Sequence, residues 1–90
     1  MCRLNGVWSR QQVDAFLGGA CIPLRLGCVG SDGFPRVVSL WFLYQGGIIH
    51  CVTHRNSRLA VILRRQQKVG FEVAPNEPPY FGVRGQGMVS

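Results

Sequence analysis

The stretch Arg36–Tyr44, RVVSLWFLY, constrains this chain more than any other. Its β-branched and aromatic residues suit a strand, and side chains along a strand alternate between two faces. One face would carry Arg36, Val38, Leu40, Phe42 and Tyr44, the other Val37, Ser39, Trp41 and Leu43. An antiparallel strand with one face in water alternates apolar and polar residues, whereas this one is apolar on both sides. One face fills a core. The other needs a cover, which a helix of the same chain, a flat ligand or another subunit could supply. The 90 residues suffice for a single domain spanning 1–90. A domain this size buries only about 60–65% of the surface its unfolded chain exposes, so support from a ligand or a partner chain is expected.

The neighbouring segments supply the rest of a small β fold. Ser9-Arg10-Gln11-Gln12 forms a capping-box helix start, with Trp8 and Val13 at the two staple positions. Val13, Phe16, Leu17 and Ala20 then recur at helical spacing, and Gly18-Gly19 ends the helix. Leu24, Leu26 and Cys28 alternate with Arg25, Gly27 and Val29, and Ser31-Asp32-Gly33 signals a hairpin into the long second strand. Gln45-Gly46-Gly47 turns into a third strand, Ile48–Thr53, so these three runs read as a meander. A short helix is expected over Ser57–Gln67, capped by Asn56 or Ser57, with Leu59, Ile62 and Leu63 as its apolar stripe. Val69, Phe71 and Val73 mark a fourth strand, and Tyr80–Val89 a fifth that contains Gly82, Gly85 and Gly87. Glycines inside a strand suggest bulges, a barrel corner or a close approach. The pattern is mainly β within an α+β class, a small antiparallel barrel with two short helices.

Charge points to an anionic partner. Ten basic residues against four acidic ones give +6, and nine of the ten are Arg, the residue of bidentate phosphate and carboxylate recognition. Arg55, Arg58, Arg64, Arg65 and Lys68 crowd one short segment. Nucleic acid and a small phosphate ester both satisfy that charge. An apolar fraction of 47% with 16% charged residues excludes a disordered chain. No apolar run is long enough to span a membrane, and no signal-peptide pattern stands at the start, so a cytoplasmic location is expected. Cys2, Cys21, Cys28 and Cys51 include no C-x-x-C pair, which argues against a metal site and for reduced cysteines used as small hydrophobes.

The segment that could carry chemistry is Thr53-His54-Arg55-Asn56-Ser57-Arg58, which opens the second helix. Free N–H groups and the positive end of the helix dipole gather there, Thr53 and Ser57 add hydroxyls, and Arg58 adds a charged fork. A phosphate site and an ordinary capped helix both fit these residues. Arg55 stands close enough to assist, while Arg64 and Arg65, about two turns further on, are expected to point elsewhere. Neither His50 nor His54 is assigned a catalytic role, and no acid–base set is evident.

The order RLGCVGSDGFPRVVSLWFLYQGGIIHCVTHRNSRLAVILRRQQKVGFEV resembles the pyridoxamine 5′-phosphate oxidase-like family of flavin-binding split barrels. The shared features are a D-G-x-P turn, Arg-Val-Val in the second strand, a Thr after the third strand, Ser-Arg before an apolar helix, and a Val-Gly-Phe-Glu-Val strand. The likeness runs from about Ser9 to Ser90. It implies FMN held at a homodimer interface and an oxidoreductase-type activity, with deazaflavin F420 or haem as the alternative cofactors. By position, Arg36, Val37, Val38, Ser39, Leu40 and Trp41 match the strand along the flavin, Val52 and Thr53 end the next strand, and Ser57 and Arg58 form the phosphate turn. Leu59 and Trp41 stand where oxidase members carry Lys, which points away from pyridoxal phosphate chemistry and towards flavin or deazaflavin reductase-like relatives. The family's domain continues with at least one further strand, so the resemblance implies a domain lacking its C-terminal part.

Two other readings follow from the residues. In one, the basic cluster and Trp41, Phe42 and Tyr44 serve as stacking platforms for single-stranded nucleic acid. The aromatics lie in the most apolar strand, away from the arginines, which makes nucleic acid the weaker partner. In the other, the chain is a cofactor-free remnant of the family.

Overall fold

The computed structural model describes residues 8–78 and 81–90. Two helices, α1 (Arg10–Gly19) and α2 (Arg58–Arg65), accompany six strands: β1 (Leu24–Val29), β2 (Pro35–Leu40), β3 (Phe42–Gln45), β4 (Ile48–Cys51), β5 (Lys68–Val73) and β6 (Val83–Met88). A four-stranded antiparallel sheet has the order β2-β1-β5-β6, and β3 and β4 form a separate two-stranded ribbon. This is the expected fold class, a small antiparallel split β-barrel with two short helices.

The long second strand is not continuous. It breaks at Trp41, so Arg36–Leu40 pairs with β1 while Phe42–Tyr44 pairs with β4. The three runs therefore make two hairpins in different sheets rather than one meander. Side-chain alternation survives the break: Val38, Leu40, Phe42 and Tyr44 all pack against the core. The β3–β4 hairpin closes through Gly46 and Gly47, at φ +61° and +77°, the two positive-φ positions that a type I′ turn demands.

The core joins α1 (Val13, Leu17), β1 (Leu24, Leu26, Cys28), α2 (Leu59) and β5 (Val73). Each position follows from periodicity: every second residue of β1 is buried, as the alternation required. The Ser9 capping box forms as expected, with Gln12 N–H donating to Ser9 Oγ at 3.2 Å and Ser9 N–H to Gln12 Oε1 at 2.8 Å. Gly18 and Gly19 are the last residues of α1 rather than its stop, and Ala20 is the C-cap. Trp8, Phe16 and Phe81 form a cluster with ring centroids 5.2–5.9 Å apart, tying the segment before β6 to α1.

The fifth strand is shorter than expected, Val83–Met88, and Tyr80 lies outside the described residues. Gly85 faces Phe71 across the β5–β6 ladder. A Cβ there would stand 2.9 Å from Phe71 Cε1, so the glycine makes room for an aromatic ring of the same chain, not for a ligand. Of the cysteines, Cys28 is buried in the core, Cys21 and Cys51 are exposed thiols, and Cys2 lies outside the described residues. Among the described residues no helix is long and apolar enough to cross a membrane.

Candidate functional site

Among the described residues no helix covers the outward face of the apolar stretch. Val37 is 70% exposed, Trp41 69% and Leu43 59%, and Val52, the residue after β4, is 89% exposed. The β3–β4 ladder ends at the pair Phe42↔Cys51, and Trp41 and Val52 are the residues that immediately flank that pair in sequence. An apolar strip thus runs up to the turn that connects β4 to α2.

That turn is closely bonded. Ser57, not Asn56, caps α2, and its Oγ accepts from Ala60 N–H at 3.1 Å. Ser57 N–H donates to the His54 carbonyl at 2.9 Å, and Asn56 N–H donates to His54 Nδ1 at 3.1 Å. With Nδ1 an acceptor, the proton of a neutral His54 sits on Nε2. Thr53 Oγ1 and Ser57 Oγ lie 3.0 Å apart, so the two hydroxyls proposed from the sequence do meet. Arg58 is exposed and makes no hydrogen bond or ion pair among the described residues. The four acidic residues of the chain are Asp14, Asp32, Glu72 and Glu77, none of them within the segment 51–71. The turn therefore combines two hydroxyls, a helix N-terminus and a free guanidinium, with no carboxylate from its own segment to compete for the cations.

The other predicted site residues sit differently. Arg36 stands at the far end of β2 and is paired with Asp32 at 2.9 Å. Asp32 Oδ1 also accepts from Phe34 N–H at 3.1 Å, so Arg36 is tied into the β1–β2 turn. The side chains of Val38 and Leu40 are packed on the core, while Val37 and Ser39 face outward. The structure brings Thr53 and Ser57 together, with Val52 and Arg58 next to them in sequence, whereas Arg36–Leu40 runs along β2 in the other sheet. Phe42 and Tyr44 pack against the core, which leaves Trp41 alone of these three aromatics on the surface.

One expectation is overturned here. Arg64 does not point away from the turn: its Nη2 donates to the Arg55 carbonyl at 2.6 Å. Residue spacing could have suggested it, because helical side chains lean toward the N-terminus. Arg65 does point elsewhere, lining a shallow cleft with Val29, Ser31, Val61 and Gln66. A second cleft lies beside Glu72, Pro75, Phe81 and Arg84. Neither includes a predicted site residue. The donor set at 53–58 lies outside both clefts, with Thr53, Arg55 and Arg58 exposed and Ser57 half-buried.

Two groups have shifted titration. The Tyr44 hydroxyl donates to Asp14 Oδ1 at 2.5 Å, and that bond, helped by burial and the carboxylate's charge, raises its pKa above 10. Partial desolvation of its sulfur, on a residue that is exposed as a whole, pushes the Cys51 thiol up. Among the described residues no group of His, Cys, Asp and Glu is arranged to hold a metal ion.

Known structures share this fold. A conserved hypothetical protein, Rv2991, from Mycobacterium tuberculosis superposes with a TM-score of 0.83 at 27% identity, covering 96% of this chain and 54% of that one. An F420 reductase superposes with a TM-score of 0.74 at 22% identity, covering 82% of this chain and 59% of that one. The chain therefore spans little more than half the length of either. No family model matches the chain, and no curated protein matches it.

Proposed function

We propose that this chain is a split barrel of the pyridoxamine 5′-phosphate oxidase-like family. In this reading it binds a phosphate-bearing flavin-type cofactor between two copies of itself and serves an oxidoreductase reaction. The observation that carries the reading is the conjunction of Thr53, Ser57 and Arg58 with the uncovered strip of Val37, Trp41, Leu43 and Val52. The donor set suits a phosphate monoester, which would take hydroxyl and N–H donors and one guanidinium. The strip suits a flat ring, and a second copy laid over it would exclude water from that ring. FMN meets both requirements. Deazaflavin F420 is the second cofactor considered, because a solved structure of the same fold is an F420 reductase.

The ring supplies the redox chemistry when bound, and the protein binds, orients and shields it. The chain's own residues have distinct parts in this scheme. Arg58 compensates phosphate charge, a role made larger by Leu59 in place of a second cation. Thr53 and Ser57 fix the phosphate's orientation. Trp41 and Val52 provide the apolar wall beside it.

Thermal unfolding with added ligand tests the reading. A ligand that binds only the native state stabilises by about 2.7 kcal/mol at a hundredfold excess over its Kd. FMN should raise the Tm more than riboflavin, which lacks the phosphate, and F420 in parallel separates the two ring systems. Equal shifts with FMN and riboflavin, or none with any of the three, would remove the phosphate turn from the account.

A further inference from the structure

We propose that Arg64 is a positioning residue for the 53–58 turn, holding it in shape and lending it a second cation; the second half of this inference rests on the reading of that turn as the phosphate site. Side chains on a helix lean toward its N-terminus, and residues 64, 60 and 57 stack on one side at i−4 and i−7. The Arg64 guanidinium accordingly lies back along α2 and reaches the Arg55 carbonyl at 2.6 Å, nine residues upstream.

The other bonds of the turn are local. Ser57 to His54, Asn56 to His54, and Thr53 to Ser57 close it on itself, and Ser57 to Ala60 fixes only the first helical turn. The Arg64 bond fastens the middle of the turn to the last turn of the helix. A guanidinium has five donors, so most of Arg64's remain available after this bond. Its charge is held at the Arg55 carbonyl, within the turn that leads to Arg58, with no acidic residue in the segment 51–71. Arg65, one residue on, lines the cleft with Val29 and Val61 on a different side of α2 and serves as an internal control.

The experiment compares Arg64→Ala, Arg64→Lys, Arg65→Ala and Arg58→Ala in the full chain. Amide exchange is read without ligand, and affinities are read with FMN and riboflavin. Arg64→Ala should speed exchange at Asn56 and Ser57 severalfold and leave the Tm of the domain nearly unchanged. It should weaken FMN by about three- to tenfold, the range for one exposed hydrogen bond, and leave riboflavin as it was. Arg64→Lys should restore both properties, because an ammonium can donate to the same carbonyl, and Arg65→Ala should match wild type. Wild-type exchange and FMN affinity in Arg64→Ala, with FMN binding lost in Arg58→Ala, would overturn the role of Arg64 and leave the phosphate reading standing. Faster exchange in Arg64→Ala, with FMN affinity unchanged in both Arg64→Ala and Arg58→Ala, would overturn the phosphate reading and the cation role with it.

Discussion

Ser57 serves two ends that a pair of substitutions can separate. Its Oγ caps α2 by accepting from Ala60 N–H at 3.1 Å and lies 3.0 Å from Thr53 Oγ1. Ser57→Ala removes the cap, and loss of an N-cap costs about 0.5–2 kcal/mol. In a domain this size 1 kcal/mol corresponds to roughly 4–8 °C in Tm. Ser57→Asp keeps the cap, since Asp ranks with Ser at that position, and adds a negative charge at the positive end of the helix, worth about 0.3–1 kcal/mol. Arg55, Arg58 and Arg64 around it strengthen that gain. The same carboxylate occupies the place proposed for the phosphate. Two unit charges 4 Å apart repel by about 4 kcal/mol at an effective dielectric constant of 20, so FMN affinity should fall by roughly a hundredfold or more. Urea unfolding and flavin-fluorescence titration of both variants give the comparison. Ser57→Asp should be as stable as wild type or more so and bind FMN poorly, and Ser57→Ala should be less stable and lose less affinity. A stable Ser57→Asp variant with wild-type FMN affinity would refute the placement of the anion.

Three further outcomes follow from the packing. Trp41→Lys should convert a dimer to a monomer in sedimentation at micromolar concentration, because it places a charge on the uncovered apolar strip; a wild-type monomer would remove the shared site. Gly85→Ala should lose about 1–3 kcal/mol by overpacking against Phe71, whose ring atoms would stand 2.9 and 3.0 Å from the new Cβ. Combining it with Phe71→Ala should recover part of that loss in urea unfolding. Tyr44→Phe should cost about 1–2 kcal/mol below pH 10, through its lost bond to Asp14. Since the folded-state pKa of Tyr44 is raised, that contribution is complete below the unfolded value near 10 and fades as pH rises through the folded one. The stability gap between wild type and Tyr44→Phe should therefore close at strongly alkaline pH.

Features encoded by short-range rules were readable from the sequence. The Ser9–Gln12 box, the Gly46-Gly47 turn and the Leu24/Leu26/Cys28 alternation each depend on neighbours within four residues. That Val37, Trp41 and Leu43 share one face was readable for the same reason, because parity along an extended chain does not depend on the fold; whether a helix covers that face was not. The break at Trp41 was not. No glycine or proline marks it, and an unbroken β-branched and aromatic run gives no sign that its halves pair with different partners. The Gly85–Phe71 contact needs the β5–β6 register, which lies outside local pattern. Arg64 was misplaced because counting helical turns fixes where a Cα sits, whereas a long side chain leaning toward the N-terminus covers most of that distance.

The central claim is that Arg58, rather than the general basic character of the segment, holds an anionic group of a flavin-type cofactor. Calorimetric titration of FMN into wild type, Arg58→Ala and Arg65→Ala tests it most directly, with a single-stranded oligonucleotide as the competing ligand. Arg58→Ala should weaken FMN by about 1.5–3 kcal/mol, the range for a hydrogen bond to a charged group, and Arg65→Ala should leave it unchanged. Equal losses of FMN and oligonucleotide affinity in both variants would identify a general polyanion surface and contradict the claim.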